Sequence, residues 1–222
     1  LKKPEKYVKS NIIGFFNILE NCKNLNIKKL FYASSSSVYG NRNNNFKENA
    51  LTDKPLSVYA ASKKANELLA FSYSHLYKIN TVGMRFFTVY GPYGRPDMAI
   101  FNFTESIYKK KPIVIFGKGN LKRDFTYIDD IVCGVFKLTK KIPFINEKNN
   151  FDNLSKVAPY RVINLGSSKP INLMKYIKLI EDNLGIKARK KFVKNQAGDV
   201  LSTWSDITLA KSLVEFSPET KI

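Results

Sequence analysis

The chain alternates between two patterns of apolar residues, one typical of helices and one typical of buried strands. Apolar residues recur every three or four positions in the longer segments, which predicts helices at residues 7–22, 58–77, 99–109 and 173–184. Short continuous apolar runs lie between them and predict strands at residues 30–33, 81–85, 113–116 and 161–165. Two more helices are predicted, one after Asp129 and Asp130 and a last one with its N-cap near Asp206. This alternation predicts an α/β fold with a parallel sheet.

Two polar loops follow predicted strands. Four serines, Ser34 to Ser37, come directly after the run that ends at Ala33, and a loop rich in glycine and proline, residues 90–96, comes soon after Arg85. Ligands of parallel α/β sheets bind beyond the carboxyl ends of the strands. We therefore expect both loops to line a binding site.

Tyr59 and Lys63 lie four positions apart in the second predicted helix and therefore share one of its faces. A tyrosine in water has a pKa of about 10, so tyrosine serves as a base at neutral pH only where a positive charge stabilises the phenolate. An ammonium group one turn away, helped by the positive ring of a cofactor, supplies such a charge. Taken alone, the spacing is more typical of a common surface pair.

The serine cluster belongs to the segment from Tyr32 to Gly40, and its hydroxyls offer donors and acceptors to a reacting oxygen. Taken alone, the cluster is more typical of a serine-rich turn. A strand that ends in hydroxyls and is followed about one strand–helix step later by Tyr-x-x-x-Lys is a specific arrangement. The combination favours a catalytic site over either structural alternative.

The composition narrows the class of protein. A length of 222 residues with 44% hydrophobic and 13% aromatic residues is typical of a globular protein, and no apolar run approaches the roughly 20 residues that cross a bilayer. The net charge of +19 raises the alternative of a nucleic-acid binder. The lysines are scattered, however, so we favour a solvated surface that attracts anionic substrates and expect no nucleic-acid partner. Cys22 and Cys133 lack metal-site spacing, which favours a reduced, cytosolic chain without a metal.

Five motifs occur in the same order as in a known family. They are YASSSSVYG at 32–40, SVYAASKKAN at 57–66, RFFTVYGPYGRPDMA at 85–99, RDFTYIDD at 123–130 and QAGDV at 196–200. These motifs extend over nearly the whole chain. In them the chain resembles the extended short-chain dehydrogenases of the NAD-dependent epimerase/dehydratase branch. The resemblance is greatest to the UDP-glucuronate 4-epimerases.

The resemblance implies roles in catalysis and in cofactor binding. Tyr59 is the expected base, Lys63 is its partner, and Ser35, four positions before Tyr39, matches the catalytic serine or threonine of the family. NAD is the expected cofactor. Its expected contacts are Tyr59, Lys63, Ser10, Phe87 and Asn11, and the asparagine matches one that supports the lysine.

A UDP-sugar is the expected substrate. Arg123 matches an arginine that binds the diphosphate, which a guanidinium recognises with paired hydrogen bonds, and a salt bridge to a nearby aspartate is the alternative. Many relatives carry Asn where this chain has Thr88, and residues 94–99 resemble the branch of the family that acts on uronates. The sugar carboxylate of a uronate is well bound by hydroxyl donors. The structural alternatives are a strand-end cap for Thr88 and a loop brace for Arg95. The expected substrate contacts are Ser36, Ser37, Thr88, Arg95, Arg123 and Asp199.

The resemblance also implies a reaction. Tyr59 takes the proton of the sugar 4-hydroxyl while NAD takes the hydride from C4, and the hydride then returns to the opposite face. Ser36 and Ser37 stand where dehydratases of the family have Asp-Glu, which argues against dehydration. The alternatives are a related dehydratase or decarboxylase and a non-catalytic fragment that binds nucleotide sugars.

No Gly-x-x-Gly-x-x-Gly turn follows an initial strand in this sequence. The resemblance therefore implies that residues 1–98 form the carboxy-terminal part of a Rossmann-type NAD-binding domain that lacks its first βαβ units. Residues 99–222 are expected to form mainly a small substrate domain, with about 123–166 returning to the Rossmann domain. We expect the chain to be part of a longer enzyme, for which the resemblance implies a homodimer.

Overall fold

Strands and helices alternate along the chain in the computed structural model, which describes residues 3–42, 45–144, 153–194 and 200–222. The strands are β1 (Lys29–Ser35), β2 (Asn80–Phe86), β3 (Thr88–Tyr90), β4 (Ile113–Phe116), β5 (Lys122–Tyr127), β6 (Tyr160–Leu165), β7 (Pro170–Asn172) and β8 (Lys190–Val193). The helices are α1 (Pro4–Tyr7), α2 (Gly14–Asn24), α3 (Val58–Tyr77), α4 (Ala99–Tyr108), α5 (Ile128–Thr139), α6 (Leu173–Leu184) and α7 (Thr208–Val214). A π-helical segment, Val8–Ile13, joins α1 to α2.

The main sheet consists of parallel strands in the order β1-β2-β6. Lys29 pairs with Asn80, and Thr81 pairs with Tyr160. The central strand β2 is buried from Thr81 to Arg85, as expected for a parallel strand with helices on both faces. This arrangement confirms the predicted α/β fold with a parallel sheet.

Successive side chains of a strand point to opposite sides, so the main sheet has apolar side chains on both faces. Helices cover both faces. On one face, α2 and α3 pack against β1 through a cluster of Phe15, Leu19, Tyr32, Ala70 and Tyr73. On the other face, α5 and α7 pack against β2 and β6 through a cluster that includes Val82, Met84, Ile131, Ile163, Leu165 and Leu209. Helix α7, which the sequence places in the substrate region, therefore packs with the main sheet.

A second unit is built around β4, β5, α4 and α6, which share the buried residues Phe103, Ile107, Ile115, Phe125 and Ile177. In this unit β4 pairs with β8, and β5 lies between β3 and β7. A single residue, Phe87, separates β2 from β3, so the main sheet leads directly into the second unit. The chain thus first passes from the main sheet to the second unit at the carboxyl end of β2, and it returns to the main sheet with α5, β6 and α7.

Both ends of the chain differ in detail from the sequence prediction. Helical structure extends over residues 4–24, beyond the predicted 7–22, and includes the π-helical segment. Asp206 is not the N-cap of the last helix; α7 begins at Thr208, and the Asp206 carboxylate accepts a hydrogen bond from the Thr208 backbone N–H at 2.9 Å. Within the described ranges, no helix is both long and apolar enough to cross a membrane.

Candidate active site

The Tyr59–Lys63 pair lies on the first turns of α3, against the carboxyl end of β1. The helix begins there because the Ser57 side chain accepts a hydrogen bond from the Ala60 backbone N–H at 3.1 Å. The Lys63 ammonium donates to the carbonyl oxygen of Ala33 at 3.0 Å and lies 6.0 Å from the centre of the Tyr59 ring. Burial lowers the pKa of Lys63. A half-buried cation therefore stands beside a phenol at a strand end.

The serine cluster turns sharply where β1 ends. The Ser35 hydroxyl accepts a hydrogen bond from the Ser37 backbone N–H at 3.2 Å and donates to the Ser37 hydroxyl at 3.1 Å, which starts a 3₁₀ turn over Ser36–Tyr39. Gly40 ends this turn at φ +64°, and a Cβ there would meet the Lys54 carbonyl oxygen at 2.5 Å. The backbone thus fixes the hydroxyls next to the end of β1.

Two adjoining cavities open beside this turn. The smaller, about 180 Å³, is lined by Ser36, Ser37, Gly40, Leu56, Ser57, Ala60, Thr88, Arg123, Val200 and Thr203. The larger, about 630 Å³, extends into the second unit and includes Thr88, Met98, Phe103, Phe116 and Arg123. Because Thr88 and Arg123 line both, the cavities form one cleft with a hydroxyl-rich end and a more apolar end. Such a cleft suits an elongated ligand with an anionic centre.

Arg123 stands at the junction of the two cavities, on β5. Its guanidinium donates to the carbonyl oxygens of Lys122 at 3.0 Å and Leu201 at 3.4 Å. The backbone around it is held by hydrogen bonds from Lys122 N–H to the Leu201 carbonyl and from Thr203 N–H to the Lys122 carbonyl. Residues 201–203 therefore run beside β5 and bring Thr203 into the smaller cavity.

Asp124, next to Arg123, is fully buried and ties three segments together. Its carboxylate accepts hydrogen bonds from the backbone N–H and hydroxyl of Ser167, from the Ser168 N–H, and from the N–H and hydroxyl of Ser205, at 2.6–3.1 Å. Gly166 permits this close approach, since a Cβ there would lie 2.4 Å from the Ser205 hydroxyl oxygen. Asp124 thus anchors the strand on which Arg123 sits.

The predicted cofactor contacts lie around α3. Ser10 is exposed on the π-helical segment, and Phe87 is buried against Tyr39 and Phe46. The Asn11 amide donates to the Ser62 hydroxyl at 2.9 Å, and that hydroxyl donates to the Tyr59 carbonyl oxygen at 2.8 Å. Asn11 therefore supports the turn that carries the Tyr59–Lys63 pair through Ser62.

Arg95, another predicted substrate contact, is not among the residues that line the two cavities. The Arg95 guanidinium donates to the Asp97 carboxylate at 2.6 and 3.0 Å on an exposed loop, and Asp97 lines the larger cavity. Asp199 lies outside the described residues. The structure also adds two hydroxyls that the sequence did not indicate, those of Ser57 and Thr203. In the described parts of the chain, no group of His, Cys, Asp or Glu side chains is arranged to hold a metal ion.

Comparison with known protein families gives a match over most of the chain. The profile of the NAD dependent epimerase/dehydratase family matches residues 1–176. Protein CapI of Staphylococcus aureus is 47% identical over 226 residues, which cover 100% of this chain and 68% of CapI. The UDP-glucuronate 4-epimerase of Thermodesulfobacterium geofontis is 44% identical over 223 residues, which cover 100% of this chain and 64% of that protein.

A solved structure is similar in fold as well as in sequence. The UDP-glucuronic acid 4-epimerase from Bacillus cereus, in complex with UDP-glucuronic acid and NAD, has a TM-score of 0.84 and 34% identity to this chain. The match covers 96% of this chain and 64% of that one. This chain therefore spans about two thirds of the length of the proteins that it matches.

Proposed function

The chain belongs to the NAD-dependent epimerase/dehydratase family, and from this premise we propose that it forms the catalytic and substrate-binding part of a UDP-glucuronate 4-epimerase. Because it spans about two thirds of its relatives, the activity is proposed for the full-length protein, meaning this chain together with the remaining third that they carry. The observation that supports the proposal is the position of the Tyr59–Lys63 pair at the strand end, beside a cleft lined by serine hydroxyls and Arg123.

Residues of this chain fit one end of an NAD molecule. Tyr59 and Lys63 offer a hydroxyl and an ammonium to a ribose, and Ser10 is exposed on the neighbouring segment. When bound, NAD supplies the hydride acceptor and donor for C4 of the sugar. The NAD-binding assignment of Ser10, Asn11 and Phe87 is part of the proposal.

In the proposed reaction, Tyr59 as phenolate takes the proton of the sugar 4-hydroxyl, and the C4–O bond becomes a carbonyl as the hydride leaves C4. Lys63 stabilises the phenolate electrostatically, and Ser35 holds the reacting oxygen by a hydrogen bond. Tyr59 then returns the proton after the sugar has presented its other face. The proton and the hydride that leave the sugar both return to it, so the reaction is an isomerisation between UDP-glucuronate and UDP-galacturonate.

The substrate is proposed to lie along the cleft, with its diphosphate at Arg123. The nucleoside would occupy the larger, more apolar cavity, and the sugar carboxylate would lie in the smaller one. Ser36, Ser37 and Thr88 surround that end with hydroxyls, which bind a carboxylate by charge-assisted hydrogen bonds. We also assign Arg95 and Asp199 to substrate binding, the first because its partner Asp97 lines the larger cavity.

The direct test is incubation of the full-length protein and NAD with UDP-glucuronate, followed by proton NMR of the anomeric signals. An equilibrium mixture with UDP-galacturonate is expected. Release of carbon dioxide would favour a decarboxylase, and formation of a 4-keto-6-deoxy sugar from UDP-glucose would favour a dehydratase. Binding of UDP-glucuronate without any turnover would favour a non-catalytic nucleotide-sugar-binding protein.

Thr88→Val tests the carboxylate site. Loss of one charge-assisted hydrogen bond, about 1.5 kcal/mol, should raise the KM for UDP-glucuronate about tenfold. The inhibition constant of UDP-glucose, which has no carboxylate, should change by less than about twofold. Steady-state kinetics measure both values, and Thr139→Val at an exposed position of α5 is the control. An equal loss of affinity for the two sugars would contradict the assignment.

We further propose that the full-length protein is a homodimer that pairs through α2, α3 and the π-helical segment. Large apolar side chains stand exposed on this face, among them Ile13, Phe16, Leu68 and Leu76. Phe16→Glu should convert a dimer into a monomer, as measured by sedimentation velocity. Phe136→Glu, at an exposed phenylalanine of α5, should leave the mass unchanged. A monomeric parent protein would rule out this proposal.

We propose a cytoplasmic location for the protein. The two cysteines are free in the structure, Cys22 buried and Cys133 exposed. Free thiols favour a reducing compartment.

A further inference from the structure

Two buried charged residues join α3 and β1, which carry the groups of the proposed reaction, to the central strand β2. We propose that Glu67 and Arg85 are positioning residues, which fix α3 relative to the ends of β1 and β2 and thereby align Tyr59 and Lys63 with the Ser35 hydroxyl. This inference rests on the proposed function and adds to it two residues that touch neither substrate nor cofactor.

Glu67 connects α3 to both strands. It lies one helical turn after Lys63 and has only 2% of its side chain exposed. One carboxylate oxygen accepts hydrogen bonds from the Ser34 hydroxyl at 2.7 Å and from the Arg85 Nε at 2.8 Å. The other oxygen accepts from the Arg85 Nη2 at 2.8 Å and from the Lys64 ammonium at 3.3 Å. A single carboxylate therefore holds the end of β1 and the end of β2 to the same helix.

Arg85 extends the network to the rest of the site. Its Nη1 donates to the Tyr39 hydroxyl at 3.0 Å and to the Glu48 carbonyl oxygen at 3.1 Å, and its guanidinium lies 4.8 Å from the centre of the Tyr39 ring. The Tyr39 hydroxyl in turn donates to the Asn164 side chain on β6 at 2.7 Å. Arg85 thus fixes the turn that follows the serine cluster as well as α3.

Consecutive residues of β1 contact the helix and the turn. The carbonyl of Ala33 accepts from Lys63, the hydroxyl of Ser34 donates to Glu67, and Ser35 starts the turn that lines the cleft. Adjacent residues of β1 therefore hold α3 and carry the Ser35 hydroxyl. A displacement of α3 by the length of one hydrogen bond would move the Tyr59–Lys63 pair relative to that hydroxyl.

The charge and geometry of the Glu67–Arg85 pair favour a positioning role over a purely stabilising one. Burial is the largest influence on the pKa of Glu67 and by itself would raise it. The hydrogen bonds and charge of Arg85, together with the Ser34 hydrogen bond and the charge of Lys64, outweigh burial and hold the pKa below its usual value, so the carboxylate is charged at neutral pH. Buried ion pairs are often no more stabilising than apolar residues of the same volume. A two-pronged arginine–carboxylate contact, however, fixes both distance and angle. Misplacement by about 1 Å at an active site costs about 100-fold in rate.

The test uses Glu67→Gln in the full-length protein with NAD. Glutamine keeps the shape and one acceptor but loses the charge and the paired contact. The kcat for UDP-glucuronate should fall about 100-fold, while the KM changes by less than about twofold, because the cleft residues that bind the substrate are untouched. A kcat within about twofold of the parent value would overturn the proposal.

A matched control separates positioning from loss of stability. Glu181 is a similarly buried carboxylate that pairs with Lys190 at 2.6 Å, away from the cleft. Glu181→Gln should lower the melting temperature and leave kcat unchanged. The double variant Glu67→Gln/Arg85→Met removes both buried charges and should regain stability without regaining kcat. Recovery of kcat in the double variant, or an equal kcat loss in the control, would count against positioning.

A crystal structure of Glu67→Gln gives a readout that does not depend on the reaction. The Lys63 ammonium, 3.0 Å from the Ala33 carbonyl oxygen here, should move away from it by about 1 Å. An unchanged distance would overturn the positioning role, whatever the substrate. Absence of UDP-glucuronate turnover in the parent protein would instead overturn the proposed function, so the two failures are distinguishable.

Discussion

Tyr59→Phe is expected to lower kcat by about 10³-fold or more in the full-length protein, because proton transfer by a positioned side chain contributes about 10²- to 10⁴-fold. Phenylalanine keeps the ring, which packs edge-on against Tyr7 with centres 5.6 Å apart, so the fold should be preserved. The NAD content of the purified variant should equal that of the parent, since the Lys63 ammonium remains. NMR turnover assays and the absorbance of the released cofactor measure these two quantities.

The control for this substitution is Tyr77→Phe, at an exposed tyrosine near the end of the same helix. It removes a hydroxyl from α3 without touching the cleft, and we expect it to turn over substrate at the parent rate. Turnover of Tyr59→Phe near the parent level would remove Tyr59 as the base. Equal losses in both variants would indicate that α3 tolerates no change of this kind.

Arg123→Ala is expected to weaken the binding of UDP-sugars about 100-fold. Two charge-assisted hydrogen bonds to a diphosphate correspond to about 3 kcal/mol, and each 1.4 kcal/mol is a factor of about ten in affinity. The diphosphate does not react, so its contacts are the same in the ground and transition states, and the KM should rise while kcat changes little. Isothermal calorimetry with UDP and steady-state kinetics measure the two effects.

Two further substitutions identify the cause of this loss. Arg123→Lys keeps the charge but not the planar pair of donors, and it should bind UDP with intermediate affinity. Lys122→Ala removes an exposed positive charge from the adjacent position of β5 and should have little effect. If UDP affinity is the same in Arg123→Ala and in the parent protein, Arg123 does not bind the diphosphate.

Local sequence patterns predicted the elements that are long or strongly apolar. The boundaries of α3 and α6 agree with the prediction, since both helices have long apolar faces and polar N-cap residues, Ser57 and Asn172. Strands β3 and β7 have three residues each, too few to show a periodic pattern. The π-helical segment was not predicted, because one extra residue in a turn leaves the spacing of apolar residues nearly helical.

The arrangement of the candidate site could be predicted where its residues lie close together in sequence. Tyr59 and Lys63 share one helix, and Ser35 to Ser37 share one turn. Thr203 could not be predicted, because it reaches the smaller cavity only through hydrogen bonds between residues 122 and 201–203. The role of Glu67 was also missed, although its place one turn after Lys63 was a usable signal.

The strand order of the main sheet has a consequence for synthesis on the ribosome. Strand β2 pairs first with β1, whose residues are already made, while its other partner, β6, ends only at Leu165. At about 5 to 20 residues per second, the ribosome takes roughly 4 to 16 s to make the chain between Phe86 and Leu165. Throughout that time one edge of β2 and the apolar side chains of Val82 and Met84 lack their final neighbours. An open edge of this kind attracts other chains, so the yield of folded protein should depend on how well chaperones shield the nascent chain during this interval.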